Sequence, residues 1–388
     1  MSAGDDAVDD AWNPARDRSW RPQPGLEDEA RALHRALDGY APTPLHAAPS
    51  LAAELGLGAV LLKDESSRFG LPAFKALGAW WAAAWAVAAR LGEPALATRP
   101  AALRERARGS DLVLVCATEG NHGRAVARAA RGLGLDARVV MSERSTPGRV
   151  RAIEDEGAHV ELLGGDYDAA VHHAAGLADD RHLVIADTSW PGYADVPRRV
   201  VEGYATIFAE LDAQLDGRRV DLVVVPIGVG SLAAAAARHF RATPGELPRL
   251  VGLEPVDAAC ALASARAGAP VSVDGEPTSI MAGLNCPTPS PDAWPQLAAA
   301  FDGFCAVGDG HVRWGMRRLA ADGLDRGGCA GGVVGGLRTL LGDPVRREAL
   351  DLPPDATALL LLTEGVTDPA AFAAAVGRTP VDPVPAID

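Results

Sequence analysis

Lysine is scarce in this sequence, and one of its two lysines stands where it could do chemistry. The chain has two lysines, Lys63 and Lys75, and 35 arginines (37 Lys+Arg minus 2). A biased genomic base composition, which would also explain the many Ala, Gly and Arg residues, could by itself produce this scarcity of lysine. A guanidinium stays protonated, whereas a lysine amine can form a Schiff base with a carbonyl group. Lys63 lies inside a predicted strand, AVLLKDE, but Lys75 lies in RFGLPAFKALG at the start of a predicted helix. Lys75 is the better candidate for a covalent site.

A glycine-rich turn follows another predicted strand. In PIGVGSLAAAAARHF an apolar strand leads into Gly228, Val229, Gly230 and Ser231, and a helix begins at once. Glycines let the backbone approach a ligand closely, and a helix N-terminus offers N–H groups that suit a phosphate. The turn lacks the GKS/T and GxGxxG patterns, which disfavours a nucleotide P-loop. The alternative is a plain strand-to-helix turn with Ser231 as its cap.

A second turn, CATEGNHGRAV, places Thr118, Glu119, Gly120, Asn121 and His122 between a predicted strand and a predicted helix. Such a loop can present backbone N–H groups to a carboxylate while a side-chain amide holds a ring hydroxyl. We therefore expect Thr118, Gly120 and His122 to bind a substrate. The alternative is an ordinary capping turn in which His122 is a structural histidine.

Two more predicted strands end in polar side chains. Thr363 in LLTEGVTDP could hydrogen-bond a ligand nitrogen, and Asp187 in IADTSWPGY could act as an acid or base. Each residue alone is more often structural. The order along the chain is more specific, because a lysine, an amide loop, a glycine loop and a hydroxyl at strand ends form the set that binds pyridoxal 5'-phosphate.

Short apolar strands alternate with helices through the rest of the chain. One series is DLVLVCA, ARVVMS, HVELLGG and HLVIAD; a second, after the helix VPRRVVEGYATIFAELDAQL, is DLVVVPIG, RLVGLEP, FCAVGD and ALLLLTEG. This alternation is typical of parallel sheets covered by helices. We predict an α/β protein with two lobes, each a mainly parallel twisted sheet flanked by helices, and a cofactor in the cleft. The expected parts are a flexible acidic segment over 1–20, a large cofactor-binding domain from 21–78 and 195–388, and a small domain over 79–194.

Composition excludes several other classes of function. The net charge of -14 disfavours a nucleic-acid partner, which needs a basic surface. No apolar run is long enough to span a membrane, and the acidic N-terminus does not resemble a signal peptide, so we expect a cytoplasmic protein. The five cysteines form no CxxC pair, so neither a metal site nor a disulfide framework is predicted.

The chain resembles the fold-type II pyridoxal phosphate enzymes, the group of tryptophan synthase β and serine dehydratase, and within it the diaminopropionate ammonia-lyase family. The resemblance runs from Tyr40 to Phe372. It rests on ordered stretches: KDESSRFGLPAFKALG, TEGNHGRAVA, DTSWPGYADVP, EGYATIFAE, GVGSLAAA, LEPVDAAC, SIMAGLNC and TEGVTDP.

The resemblance assigns roles to the same positions. Lys75 would be the Schiff-base lysine, Asn121 would face the ring hydroxyl, and Thr363 would meet the pyridine nitrogen. The stretch 228–231 would hold the phosphate. Asp187 matches an active-site carboxylate of the family.

The implied reaction is α,β-elimination of ammonia from 2,3-diaminopropionate, which gives aminoacrylate and then pyruvate and a second ammonia in amino-acid metabolism. Lys75 would take the α-proton of an L-substrate. Glu119 matches an aspartate used as a base on the D-substrate. A homodimer is also implied.

Several motif positions depart from the family pattern, and most lie on the substrate side. Glu119 replaces an aspartate, Pro72 replaces an asparagine, and GGCAG replaces a Gly-Glu-Ser-Gly stretch, with Gly328 and Cys329 in place of a carboxylate and a hydroxyl. Two alternatives therefore stay open: a dehydratase or β-replacement synthase for another β-substituted amino acid, and, more remotely, a non-enzymatic ligand-binding homologue. Cys260 and Cys286 lie in matched motifs, and reduced thiols are expected for both.

Overall fold

The computed structural model describes residues 4–118, 120–164, 167–242 and 247–381. Its strands are β1 (Val8–Trp12), β2 (Leu45–Ala47), β3 (Ala59–Asp64), β4 (Val113–Ala117), β5 (Asp136–Ser142), β6 (His159–Leu163), β7 (His182–Val184), β8 (Leu222–Pro226), β9 (Arg249–Pro255), β10 (Gly303–Val307) and β11 (Thr357–Leu362).

The helices connect these strands in chain order. They are α1 (Glu27–Ala36), α2 (Pro49–Leu55), α3 (Lys75–Arg90), α4 (Pro100–Ala107), α5 (Asn121–Leu133), α6 (Pro147–Glu154), α7 (Tyr167–Gly176), α8 (Asp195–Leu215), α9 (Ser231–Phe240), α10 (Cys260–Ala267), α11 (Trp294–Ala300), α12 (Asp309–Ala321), α13 (Gly328–Gly342), α14 (Pro344–Leu350) and α15 (Pro369–Val376). Short 3-10 helices span Pro94–Thr98 and Ala282–Leu284.

The chain forms two compact units. Unit 1 consists of Met1–Pro24, Pro42–Pro72 and Ile207–Asp388, and unit 2 consists of Gly25–Ala41 and Ala73–Thr206. The sequence-based boundaries instead grouped 25–41, 73–78 and 195–206 with the larger domain. The last two segments belong together in unit 2 because α3 packs against α8: a Cβ at Gly78 would lie 2.7 Å from both Tyr204 Cε1 and Val200 Cγ1.

Unit 1 contains a seven-stranded sheet in the order β1-β10-β9-β8-β11-β3-β2. The central strands are parallel, whereas β1 pairs antiparallel with β10 and β2 pairs antiparallel with β3. Strands β8 and β10 are buried along their whole length, as expected for parallel strands covered by other elements. Their apolar side chains form one core with those of α2 and α13.

Unit 2 contains a four-stranded parallel sheet in the order β6-β5-β4-β7. Its strands are those predicted for the first series, and the α/β class with parallel sheets and helices is confirmed. A smaller core joins β4, β5 and β7 to α7.

The N-terminal segment departs from the sequence-based expectation. Residues 8–12, predicted to belong to a flexible acidic lead, form β1 and pair in register from Val8 with Val307 to Trp12 with Gly303. Their carboxylates find cationic partners, since Asp9 binds Arg266 at 2.6 Å. The prediction of flexibility is therefore wrong for this stretch.

Candidate active site

The predicted Schiff-base lysine is the first residue of α3, and a close helix crossing fixes that helix. A Cβ at Gly203 in α8 would lie 2.7 Å from the Leu77 carbonyl oxygen and 2.8 Å from Gly78 Cα, so only glycine permits this approach. His34, which is fully buried in α1, ties the two helices together. Its Nε2 donates to the Leu77 carbonyl at 2.9 Å, and its Nδ1 lies 2.7 Å from Thr206 Oγ1.

Lys75 forms an ion pair with a second predicted site residue. Its Nζ donates to Asp187 Oδ2 at 2.5 Å, and the two side chains are 20% and 7% exposed. Asp187 follows β7 and is 5% exposed. Burial acts to raise the pKa of Asp187, but the ammonium of Lys75 and, to a lesser extent, His122 outweigh burial and lower it well below its usual range. The carboxylate is therefore held ionised beside the amine.

His122 completes this cluster. The ring is buried and lies at the start of α5, where Nε2 donates to the Ile185 carbonyl at 2.7 Å. That bond directs Nδ1 toward Asp187 Oδ2, 3.9 Å away. Burial lowers the pKa of His122, and Lys75 adds to this effect while Asp187 opposes it. Lys75, Asp187 and His122, each predicted from a separate stretch, thus lie together in unit 2.

The rest of the amide loop has a clear structural role. Thr118 Oγ1 accepts from the backbone N–H of Gly120 at 2.9 Å and of Gly123 at 3.1 Å, so it caps the start of α5. Gly120 has φ 153°, a conformation that favours glycine. Asn121 is the first residue of α5. Glu119 lies outside the described residues. The substrate contacts predicted for Thr118, Gly120 and His122 stay predictions.

The glycine turn in unit 1 joins β8 to α9. Gly230 has φ 99° and immediately precedes Ser231, the first helical residue. A Cβ at Gly228 would lie 3.1 Å from the Gly283 carbonyl oxygen and 3.2 Å from Cys286 Sγ, so the turn is packed closely from behind. The first N–H groups of an α-helix lack acceptors within the helix, so this turn presents the donors that a phosphate requires.

Thr363 follows β11 and is 4% exposed. Strand β11 pairs in parallel with β3, and the next residues contact the stretch that leads to Lys75: the Gly365 N–H donates to the Pro72 carbonyl at 2.9 Å. Pro72, which departs from the family pattern, is therefore a neighbour of the turn after Thr363 in unit 1.

The structure explains why no carboxylate stands at Gly328. A Cβ there would lie 2.2 Å from the Ile280 carbonyl oxygen, which leaves no room for a side chain. The start of α13 receives a carboxylate from another segment, because Glu364 Oε1 accepts from the Cys329 N–H at 3.2 Å.

Lys63, the competing lysine, is excluded by its surroundings. Its side chain is 0% exposed, and its ammonium donates to Glu210 Oε2 at 2.8 Å, to the Thr43 carbonyl at 2.9 Å and to Gln214 Oε1 at 3.0 Å. Arg68 binds Glu210 in the same cluster. This amine is committed to a buried ion network.

Sequence reasoning missed two buried polar residues. Tyr204 lies within EGYATIFAE and Glu254 within LEPVDAAC; both stretches were matched only as blocks. An apolar helical spacing gives no signal for the phenol, and an acidic residue at a strand end gives only a weak one.

All five cysteines are free thiols, and within the described ranges no group of three or more His, Cys, Asp or Glu could hold a metal ion. In the same part of the chain no helix has both the length and the apolar character needed to cross a membrane.

These residues fit pyridoxal phosphate. The cofactor needs a lysine amine, a phosphate cradle and polar contacts to its ring. Unit 2 offers Lys75 with its ion pair, and unit 1 offers the 228–231 turn, in which Gly230 has φ 99° and α9 begins at Ser231.

Comparison with known proteins agrees with this fit. A family model described as pyridoxal-phosphate dependent enzyme matches residues 36–364. The chain is 36% identical over 360 residues to diaminopropionate ammonia-lyase of Salmonella typhimurium, covering 88% of this chain and 89% of that one.

Two solved structures of Escherichia coli diaminopropionate ammonia-lyase are also similar. The complex with D-serine superposes with a TM-score of 0.88 at 31% identity, covering 95% of this chain and 97% of that chain. The complex with an aminoacrylate–PLP azomethine reaction intermediate gives 0.84 at 30% identity, covering 96% and 97%. The family model spans most of the chain, and the relatives are similar over nearly their full length. The chain therefore belongs to the pyridoxal-phosphate-dependent enzymes, in the diaminopropionate ammonia-lyase family.

Proposed function

We propose that this protein eliminates ammonia from 2,3-diaminopropionate with pyridoxal 5'-phosphate as its cofactor, and that the aminoacrylate formed hydrolyses to pyruvate and a second ammonia. The observation that carries the proposal is the ion pair between Lys75 and Asp187 at the N-terminus of α3. Of the two lysines of the chain, Lys75 alone has a partly exposed side chain, because Lys63 is enclosed in its ion network. The family relationship supplies the substrate.

Each residue has a task that its surroundings support. When bound, pyridoxal phosphate supplies an electron sink for the charge that develops at the substrate Cα. Lys75 would hold the cofactor through its amine, and the free amine would take the α-proton of the L-isomer. Asp187 stays ionised and orients the Lys75 amine. His122 lies beside Asp187, with Nδ1 3.9 Å from Oδ2, and the bond from its Nε2 to the Ile185 carbonyl holds the ring there.

Other predicted residues would hold the cofactor. The 228–231 turn would bind the phosphate through backbone N–H groups, and Asn121 would contact the ring hydroxyl. Thr363 would meet the pyridine nitrogen; because a hydroxyl partner leaves that nitrogen unprotonated, elimination is favoured over transamination. For the D-isomer we propose Glu119 as the base.

A dehydration is the second candidate. The E. coli relative was crystallised with D-serine, whose leaving group is a hydroxyl. Since Glu119, Pro72 and the GGCAG stretch depart from the family pattern on the substrate side, a hydroxyl-bearing amino acid is a reasonable second substrate class.

The test combines spectroscopy with mapping of the modified lysine. We expect the purified protein to show a visible band at roughly 410–420 nm with added cofactor, and borohydride to fix the cofactor on Lys75. Lys75→Ala should lose the band, and the wild type should release pyruvate from 2,3-diaminopropionate. Borohydride labelling of Lys63, or no pyruvate from either isomer, would overturn the proposal.

The same experiment separates the two candidates. Pyruvate from D- or L-serine at a rate equal to or above that from diaminopropionate would favour the dehydratase, and product formation only with an added nucleophile would indicate β-replacement. We also propose a cytoplasmic homodimer, which sedimentation of the holoenzyme and cell fractionation would test.

A further inference from the structure

Tyr204 lies against the first turns of the helix that begins with Lys75. It is 1% exposed, and its ring centroid lies 4.7 Å from that of Phe74, the residue before Lys75. A Cβ at Gly78 would lie 2.7 Å from Tyr204 Cε1 and 2.8 Å from Cζ, the atom that bears the hydroxyl. Since Lys75 and Gly78 are three residues apart, they share one face of α3. The hydroxyl end of the ring therefore lies over the face that carries Lys75.

The Tyr204 hydroxyl is buried, and no hydrogen-bond partner for it lies among the residues that the structure describes. Such a group is costly to retain, and native structures keep few of them. Tyr193 in the same unit shows the ordinary arrangement: its hydroxyl donates to the Val184 carbonyl at 2.7 Å and accepts from the Ala186 N–H at 3.1 Å. A phenylalanine at position 204 would pack equally well, so packing alone does not explain the hydroxyl.

The charged groups that act on Tyr204 are those of the candidate site. Burial raises the pKa of Tyr204, Lys75 opposes this and Asp187 adds to it. The phenol therefore stays neutral through the pH range in which enzymes work. A neutral hydroxyl can accept one hydrogen bond from an amine without adding a charge that would compete with Asp187.

We propose that Tyr204 is a positioning residue whose hydroxyl accepts an N–H from Lys75 when that amine is free of both the cofactor and Asp187. This inference rests on the proposed function, in which Lys75 takes the α-proton of the L-isomer. An amine that has one N–H held by Tyr204 keeps its lone pair in a fixed direction. The proton goes from the substrate Cα to Lys75 Nζ, and the phenol neither gains nor loses one.

The proposal separates the two isomers, because the D-isomer does not use Lys75 as its base. For Tyr204→Phe we expect kcat on the L-isomer to fall about 10–100-fold, with KM within about twofold, since a small misplacement of a reacting group costs this much. The α-deuterium isotope effect on the L-isomer should rise. Turnover of the D-isomer should stay within about threefold of wild type.

A folding measurement tests the same idea without turnover. In urea unfolding of the cofactor-free protein, we expect Tyr204→Phe to unfold at the wild-type midpoint or above it. Tyr193→Phe, which loses two hydrogen bonds, should unfold at lower urea. A second readout is the rate at which Lys75 condenses with added pyridoxal 5'-phosphate, followed by absorbance, which should fall about fivefold in Tyr204→Phe.

The outcomes are distinct. Three results for Tyr204→Phe would each overturn the role of Tyr204: an equal loss of activity on both isomers, unchanged turnover of the L-isomer, or a loss of stability equal to that of Tyr193→Phe. The third result would reveal a structural partner of the hydroxyl, such as a buried water. A wild-type protein that binds the cofactor but yields no pyruvate would overturn the proposed function, while the condensation rate would still decide the role of Tyr204.

Discussion

The carboxylate of Asp187 owes its charge to the amine 2.5 Å away. Asp187→Asn removes that charge and leaves the Lys75 ammonium without its partner. Because Lys75 is 20% exposed, the loss of stability should be smaller than for a fully buried pair, about 2 kcal/mol at pH 7. Urea unfolding of the cofactor-free protein measures this loss, and pyruvate release should fall with it.

The pH dependence of that difference has a definite sign. The folded pKa of Asp187 is lowered, so its contribution to stability is complete above the unfolded pKa of about 3.9 and is lost as the pH falls through the folded value. The gap between wild type and Asp187→Asn should therefore be constant near neutrality and shrink below about pH 4. A gap that widens in acid would contradict the assigned pair.

The contribution of Glu254 to stability should change with pH in the opposite direction to that of Asp187. It is fully buried, and its carboxylate accepts from the backbone N–H groups of Ala261 at 2.7 Å and Leu262 at 2.8 Å at the start of α10. Burial raises its pKa to about 7, although these hydrogen bonds oppose the shift. The folded state thus binds a proton that the unfolded state releases, and stability falls as the pH rises from about 4.3 to 7.

Glu254→Gln tests this directly, since the amide oxygen can still accept from the helix N-terminus without titrating. We expect the variant to lose the decline in stability between pH 5 and pH 7 and to equal or exceed wild type at pH 8. Urea midpoints across that range measure the effect. Glu254→Ala, which removes the cap, should be less stable at every pH, and a decline that persisted in Glu254→Gln would assign it to another group.

At the scale of single residues, the sequence predicts candidate site residues whose side-chain chemistry is distinctive. Lys75 was identifiable because the chain has so few amines, and Asp187 and His122 because they stand at strand ends. Tyr204 and Glu254 were not, because their importance comes from burial and from neighbours distant in the chain. The two glycines that bring α3 and α8 together were equally invisible, since a glycine within a helix has no pattern that indicates close packing.

The helices α3 and α8 approach so closely that a single methyl group should separate them. Gly78→Ala would place Cβ 2.7 Å from Tyr204 Cε1 and from Val200 Cγ1. Alanine gains about 1 kcal/mol of helix propensity, but overpacking costs about 1–3 kcal/mol, so we expect a net loss of stability. The position of Lys75 should shift with the helix, and the cofactor band should weaken.

Gly148 in α6 is the matched control in the same unit. It has nothing within 4 Å of its ideal Cβ, and its φ is not positive. Gly148→Ala should therefore stabilise the protein by about 0.4–1 kcal/mol. Equal effects of the two substitutions in urea unfolding would rule out the close crossing as the cause.

The strands that pair in parallel were predictable, whereas the two antiparallel strands at the edges of the unit 1 sheet were not. Most of the parallel strands are short, mainly apolar runs, which is the pattern of strands covered on both faces. Strand β1 reads VDDAW, with two adjacent carboxylates, and β2 has three residues. Both are edge strands, where charges and short length are common because they discourage pairing with other molecules. Their pairing depends on neighbours that the local sequence does not reveal.

Unit 1 is assembled from segments that are far apart in the chain, and one buried ion network joins two of them. Lys63 and Arg68 come from the segment Pro42–Pro72, and Glu210 comes from Ile207–Asp388. Arg68 donates to Glu210 Oε1 at 2.7 Å and to Glu65 Oε1 at 2.6 Å, while Lys63 donates to Glu210 Oε2 at 2.8 Å. Two cations and two carboxylates balance, so each buried charge has a partner.

Burial and pairing oppose each other in this network. Burial lowers the pKa of Lys63, against the carboxylates of Glu65 and Glu210. Burial also acts to raise the pKa of Glu210, but Arg68 and Lys63 outweigh it, so the net pKa is lowered. Glu210 thus pairs with both cations, Lys63 and Arg68. Loss of its charge would leave more buried charge uncompensated than loss of any other charge in the network.

Glu210→Gln should therefore destabilise the protein by about 3–5 kcal/mol, the cost of breaking a buried pair from one side. The matched control is Arg106→Gln, which breaks the ion pair between Arg106 and Glu93; the two side chains are 49% and 45% exposed. This substitution should lower the free energy of unfolding by no more than about 0.5 kcal/mol. Urea unfolding of the cofactor-free forms compares the two. A loss below about 1 kcal/mol for Glu210→Gln would mean that the network does not hold the two segments together. A large loss, with cofactor still bound at Lys75 under native conditions, would assign Lys63 to folding and leave Lys75 to catalysis.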